Sequence, residues 1–220
     1  MNIVLFGAGG HAEVIVDMIN IAGKHTVLGV ITENGQEALS TMGGVPVIGN
    51  DSELLFLSQE MQFNHGIIGI YDNYVRFNLK NRILDMLPNF EFVTVIHPHA
   101  NISESAKIGE GSVIMGGVTI NTGSLIGAHC VLNTNSSVDH HCVISNGASI
   151  GPGVNLGGHV KLGECSYVGI GSAISHNVSV GRHTVIGGMS YVNKDVGDQE
   201  IGYSSPYKKI KSRQLGDKYL

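Results

Sequence analysis

From residue 102 onward the chain places an aliphatic side chain at every sixth position without a break. The series runs Ile102, Ile108, Ile114, Ile120, Ile126, Leu132, Val138, Ile144, Ile150, Leu156, Leu162, Val168, Ile174, Val180, Ile186 and Val192. With hydrophobic residues at 42% of the chain, sixteen successive matches at a preset spacing arise by chance about once in a million. Four residues after each aliphatic stands a small or β-branched residue, as at Ser112, Val118, Ser124, Cys130, Ser136, Cys142, Ala148 and Val154, fit to point inward without crowding. One residue after it stands Gly, Asn, Asp or Ser, Met115 excepted, so this position is predicted to carry the unusual turn conformation. Six residues make a short strand and a turn. Three such units close an 18-residue triangular coil, and a parallel β-helix is predicted.

The first half has a different rhythm. "NIVLFGAGGHAEVIVDMINIAG" is an apolar run, a glycine turn and an amphipathic segment, which predicts strand, loop and helix. "HTVLGVIT" is a second strand, ending at Glu33 and Asn34, and "HGIIGIYDNYVRFNLKNRIL" repeats the plan with strand 65–71 and a helix opening near Asn73. "FEFVTVIHPHA" is a return strand that leads into the coil. Alternating strands and helices imply a parallel, Rossmann-like sheet of about four strands. The domains predicted are an α/β unit over residues 1–98 and an all-β coil with a C-terminal tail over 99–220.

Composition narrows the partners. A net charge of −5 with 13 Lys+Arg leaves no electrostatic footprint for nucleic acid and no polybasic patch for a membrane. "MNIVLFGAGG" lacks a basic leader, and no apolar run approaches the ~18 residues of a membrane span, so a cytoplasmic location is expected. Cys130, Cys142 and Cys165 are odd in number and lack CxxC spacing, which predicts small buried hydrophobes and no disulfide. Thirty-one glycines without a tryptophan suit a narrow solenoid.

Gly7, Gly9 and Ala12 satisfy G-x-G-x-x-A, a turn that lets backbone approach a phosphate at a helix N-terminus; the alternative is a plain strand–helix turn. Glu33, 24 residues after Gly9, stands where an acid hydrogen-bonds a ribose hydroxyl. So small a sheet suits one nucleotide better than NAD. In the coil, "SVDHHCVIS" puts Asp139, His140 and His141 on an outward corner, with Val138 and Cys142 turned inward. Residues 18 apart share a corner about 4.8 Å away. Gly158 is therefore predicted beside His140, His159 beside His141, and His176 two coils above His140. An imidazole beside an unhindered glycine amide suits acyl transfer: the ring takes a proton and the N–H serves the oxyanion.

The combination of "GAGGHA", "YDNYVR" and a hexapeptide coil carrying "NTNSSVDHHCVI" resembles the sialic-acid O-acetyltransferase and nucleotide-amino-sugar N-acetyltransferase family across nearly the whole chain. The resemblance implies a left-handed β-helix, a homotrimer with sites between subunits, and acetyl-CoA as acyl donor. It implies that Gly9, Gly10, His11, Glu33, Asp72, Asn73 and Arg76 surround a nucleotide-sugar. Arg76 would face the diphosphate, or else be a solvated helix arginine. His140 matches the catalytic base and Gly158 the thioester-contacting amide, with Asp139 and His141 flanking the base. Acetyl-CoA would lie along the coil near Ile170 and Gly188. The tail "SPYKKI" would bring Lys208 and Lys209 to its phosphates, or leave them as solvated charges.

Three departures from the family pattern stand out. His141 occupies the place of a second acid, Ser149 that of a second histidine, and "IGYSSPYKKI" replaces a shorter Gly-x-Pro-Ala-Lys turn. The function expected is N-acetylation of a nucleotide-linked amino sugar, with O-acetylation of a sialic-acid-like sugar as the alternative. A zinc enzyme is the competing class. There His140 and His176 have the two-coil spacing, but Gly181 stands where the next ligand belongs, so no metal site is expected. A third class is an NAD-binding or scaffold protein. The remaining corner histidines, His129, His159, His176 and His183, read as tolerated polar residues.

Overall fold

The computed structural model describes residues 1–33, 41–205, 207–212 and 214–217. The chain forms two compact units, Met1–His97 and Pro98–Leu220. Asn34 lies outside the described residues. Among those described, no helix is long and apolar enough to cross a membrane.

In the first unit the elements are β1 (Asn2–Phe6), α1 (Gly10–Ala22), β2 (Thr26–Thr32), β3 (Thr41–Met42), β4 (Val45–Asn50), α2 (Leu54–Met61), β5 (His65–Ile68), α3 (Asn73–Met86) and β6 (Glu91–Phe92). They build a six-stranded sheet in the order β3-β4-β2-β1-β5-β6, two strands more than the sequence predicted. The extra strands are the hairpin β3–β4. Its antiparallel pairs Thr41↔Pro46 and Met42↔Val45 leave Gly43 and Gly44 as a two-residue turn with φ of 56° and 82°. "TMGGVPVIGN" is so rich in Gly and Pro that it reads as loop; pairing with β2 makes it a strand. The remaining strands are parallel, and their order reverses between β1 and β5. At such a reversal the loops after both strands frame a crevice. Val4, Phe6, Ile31, Leu54, Ile68, Leu79 and Ile83 form the core that holds them.

The second unit is the coil. Every periodic aliphatic closes a two-residue strand, from Asn101–Ile102 to Tyr191–Val192. Each strand pairs in parallel with the strand 18 residues on, as in Ser137↔Asn155, Val143↔Lys161 and Ser149↔Tyr167, which gives three flat faces. The small residues of the fourth column are buried as predicted; Ser112, Ser124, Cys130, Cys142, Ala148 and Val154 are all 0% exposed. Their hydroxyls tie coil to coil: Ser124 Oγ donates to the Asp139 carbonyl at 2.7 Å and accepts from the Cys142 N–H at 3.1 Å. All three cysteines are buried thiols outside any disulfide.

One turn prediction needs correction. The left-handed conformation falls three residues after the aliphatic, not one. It recurs at Gly123, His129, Asn135, His141, Gly147, Gly153 and His159, with φ between 55° and 69°. Glycine is frequent directly after the aliphatic for another reason, the close approach of neighbouring coils. A Cβ on Gly163 would stand 2.5 Å from the Gly181 carbonyl carbon.

Candidate functional site

The turn Asp139–Cys142 joins the face containing Ser137–Val138 to the face containing Val143–Ile144. Its backbone geometry explains which side chains converge there. His141 has φ of 56° and His159, one coil on, 60°; this fixed left-handed pair presents two stacked imidazoles, centroids 5.2 Å apart and 9° between planes. His140 stands edge-on to both, at 5.3 Å from His141 and 5.0 Å from His159. His140 Nδ1 lies 3.1 Å from His141 Nδ1, within hydrogen-bond distance. Asp139 is held through one oxygen, which accepts from Asn121 Nδ2 at 2.9 Å and from the His140 N–H at 2.8 Å. The Asn121 amide, then the His140 backbone N–H, hold this carboxyl below the usual range, so it is an anion beside the imidazoles.

Gly158 stands where the register placed it. A Cβ there would lie 2.6 Å from both Cε1 and Nε2 of His140, so the ring rests directly on the glycine and any side chain would displace it. Its amide is engaged, donating to His176 Nδ1 at 2.9 Å. The expectation of an unhindered N–H is corrected accordingly. His176 is exposed, and turning it away forfeits one hydrogen bond, about 1 kcal/mol.

Ile170 and Gly188 stack on each other one coil apart, with 3.1 Å between a Gly188 Cβ and Ile170 Cγ2, and Ile170 is 57% exposed. They occupy the turns joining Tyr167–Val168 to Ala173–Ile174 and Val185–Ile186 to Tyr191–Val192. That is a different corner from His140. Lys208 begins the strand Lys208–Ser212 opposite Tyr203, while Lys209 forms a 2.8 Å ion pair with Glu200.

In the first unit, Gly7 has φ of +101° and lies against Ile70, so the turn itself demands glycine. Gly9 and Gly10 are different: a Cβ on either would meet nothing within 4 Å, and α1 starts at Gly10 without a side-chain cap. Open space in front of uncapped N–H groups is a cradle for an anion. His11 packs edge-on to Tyr71 at 5.1 Å, and its Nε2 has no hydrogen-bond partner. Burial, then the Arg76 charge, lower its pKa to about 4. Glu33 is exposed at the end of β2 and lines an open hollow of about 470 Å³ with Asp51, Ser52, Arg82, Asp85 and Met86.

Asp72, Asn73 and Arg76 are not on that surface in the expected way. Asp72 Oδ1 caps α3 by accepting from the N–H groups of Tyr74 and Val75, at 2.9 and 3.0 Å. Arg76 is 1% exposed and donates to the carbonyls of Ile70 and Tyr71, at 2.9 and 2.8 Å, and to Asn73 Oδ1 at 2.7 Å. Neither a diphosphate-facing nor a solvated arginine is observed. A buried guanidinium instead braces the β5–α3 loop.

Two groups escaped the sequence reading. Asn121 was missed although it lies 18 residues before Asp139, a spacing the register supplies. The convergence of His140, His141 and His159 as one set, with a ligand atom of each within 4.8 Å of the others, was missed although the register had placed His159 beside His141, because only His140 and His176 were weighed together.

The two units match separate family models. Residues 2–83 match the PglD N-terminal domain, and residues 99–134 match the bacterial transferase hexapeptide repeats. A histidine-to-alanine variant of GDP-perosamine N-acetyl transferase from Caulobacter crescentus, solved with CoA and GDP-perosamine, is 32% identical. It superposes with a TM-score of 0.90 over 96% of this chain and 98% of that one. The chain belongs to the nucleotide-amino-sugar N-acetyltransferase family. The acetyltransferase domain of PglB from Neisseria gonorrhoeae FA1090, solved with acetyl coenzyme A, is 28% identical, with a TM-score of 0.86 over 95% of this chain and 98% of its own. UDP-N-acetylbacillosamine N-acetyltransferase of Bacillus subtilis is 35% identical over 120 residues; the match spans 52% of this chain and about half, 51%, of that curated relative. In this family the observed architecture, a Rossmann-like unit followed by a left-handed hexapeptide β-helix, is the one expected from the sequence.

Proposed function

We propose that this chain transfers the acetyl group of acetyl-CoA to the amino group of a nucleotide-linked amino sugar, with His140 as general base. The observation that carries the reading is the placement of His140. It rests on Gly158 through its Cε1–Nε2 edge, with Nδ1 within hydrogen-bond distance of His141 Nδ1, and Nε2 is the nitrogen assigned to the incoming acceptor. His141 accepts the Nδ1 proton and so performs the orienting work that an acid performs in relatives. The adjacent Asp139 carboxylate favours the imidazolium that forms.

The amine nitrogen attacks the thioester carbonyl carbon, and His140 Nε2 takes the proton that the nitrogen sheds. The C–S bond then breaks and the proton passes to the departing sulfur, giving amide and CoA thiol. The Gly158 N–H serves the carbonyl oxygen once His176 turns aside. The nucleotide diphosphate binds the open N-terminus of α1 at Gly9 and Gly10, with His11 beside it and Glu33 toward the ribose. Acetyl-CoA runs past Ile170 and Gly188, with Lys208 near its phosphates. These residues lie on another corner from His140, so the acting assembly is a homotrimer with the site between subunits. The relatives bind CoA, acetyl coenzyme A and GDP-perosamine, which supports this choice of donor and acceptor class.

Thiol release from acetyl-CoA, measured against UDP-, GDP- and dTDP-linked amino sugars, tests the reading. At least one sugar is expected to turn over, with kcat falling about 10²–10⁴-fold in His140→Ala. Absence of turnover across the panel, or an equally active variant, refutes it.

A further inference from the structure

Three imidazoles meet at one corner of the coil, yet acetyl transfer uses only two. His159 has no part in the reaction proposed above, but it stacks on His141 and stands edge-on to His140. We propose that His140, His141 and His159 together bind one divalent transition-metal ion of the zinc or nickel class, and that the bound ion switches the base off. This rests on the assignment of His140 as base.

The geometry is that of ligands waiting for a small ion. With metal–nitrogen bonds of about 2.0–2.1 Å, two imidazole nitrogens on one tetrahedral ion stand about 3.3 Å apart. The Nδ1 atoms of His140 and His141 are 3.1 Å apart, and the three rings can each offer one nitrogen such that all three lie within 4.8 Å of one another. The β-ladder fixes the backbone beneath them: the His159 N–H donates to the His140 carbonyl at 3.0 Å. His141 and His159 are exposed, so an ion and a water for its fourth position have free access. The Asp139 carboxylate on the same turn offsets part of the added charge, and imidazole is a preferred ligand of borderline metals.

Inhibition follows from the ring's chemistry. A neutral imidazole has one available nitrogen lone pair. When Nδ1 of His140 coordinates the ion, the ring's single proton moves by way of solvent from Nδ1 to Nε2, so no lone pair remains for the amine's proton. Binding is non-redox and reversible by chelation.

The test uses the tag-free full chain and zinc chloride, titrated by calorimetry in the presence of a competing chelator. The parent is expected to take up one ion per chain at micromolar free zinc, and His159→Asn to bind at least tenfold more weakly. Asparagine keeps the turn, since Asn135 and Asn177 hold the same left-handed conformation elsewhere in the coil. Without metal, His159→Asn should transfer acetyl as the parent does. With zinc, the parent should lose activity over its binding range and recover it with EDTA, while the variant's inhibition shifts upward at least tenfold. CoA thiol also binds zinc, so the variant assayed in parallel isolates the corner's contribution. No saturable uptake, or equal affinity in parent and variant, overturns the proposal. The uptake arm needs no turnover, so it stands even if every sugar in the panel fails.

Discussion

His11 sits at the second position of α1, where burial and the neighbouring Arg76 lower its pKa from 6.5 to about 4. Between those values the unfolded chain binds a proton that the folded one refuses. Stability is therefore full above about pH 6.5, falls as pH drops through that window, and loses nothing further from this group below 4. From pH 7 to pH 5 the loss is about 2 kcal/mol. Denaturant unfolding of the full chain at both pH values, compared between parent and His11→Asn, should show a parent-specific drop of that size; equal drops would remove His11 as the cause. Residue identities were legible unevenly for the same physical reason. The positions of Asp139, His140 and Gly158 followed from counting, because a repeat converts sequence number into place. Arg76 and Asp72 did not, because nothing in "YDNYVR" says that the guanidinium turns inward to loop carbonyls or that the carboxylate is spent on a cap.

At the scale of elements, the coil is a ladder of two-residue strands whose geometry is set at the turns. From Gly111 to Met189 every turn carries one left-handed residue, and Asn135, with φ of 57°, is a representative at an exposed position. Asn135→Val should cost about 1–2 kcal/mol, because a Cβ crowds the carbonyl in this conformation and branching worsens it, while Asn135→Gly should be neutral or better. Equilibrium denaturation of the two variants gives the comparison, and equal stabilities would contradict it. The six-residue period was legible in sequence because burial repeats with it. Which column bends was not, since Gly and Asn fill both the first and third positions after the aliphatic. They fill one to let coils approach and the other to allow positive φ. The β3–β4 hairpin was hidden by the opposite problem: its strand character comes from its partner β2 rather than from its own residues.

At the scale of the whole molecule, the proposed reaction needs two corners of the coil to meet. His140 stands at one corner and Ile170 with Gly188 at another, separated by a complete face of paired strands from Asn101–Ile102 to Tyr191–Val192. In the homotrimer proposed above, the first corner of each subunit would face the second corner of its neighbour, which would join the proposed base and acyl donor without bending the coil. Met189, 75% exposed beside Gly188, would then be covered, while Ile170, 57% exposed, would line the path of the donor. The arrangement predicts complementation between two inactive variants. His140→Ala would remove the proposed base, and Ile170→Glu would set a carboxylate against the proposed donor path at an exposed position that folding tolerates. Each alone should be inactive. When the two are co-expressed in equal amounts, a site is intact if its base comes from an Ile170→Glu chain and its donor corner from a His140→Ala chain. Random assembly makes that true of about one site in four, so purified mixed trimers should recover about a quarter of parental thiol release. Separately purified variants mixed without exchange should recover none, and a co-expressed sample that stays inactive would place both corners' functions within single chains.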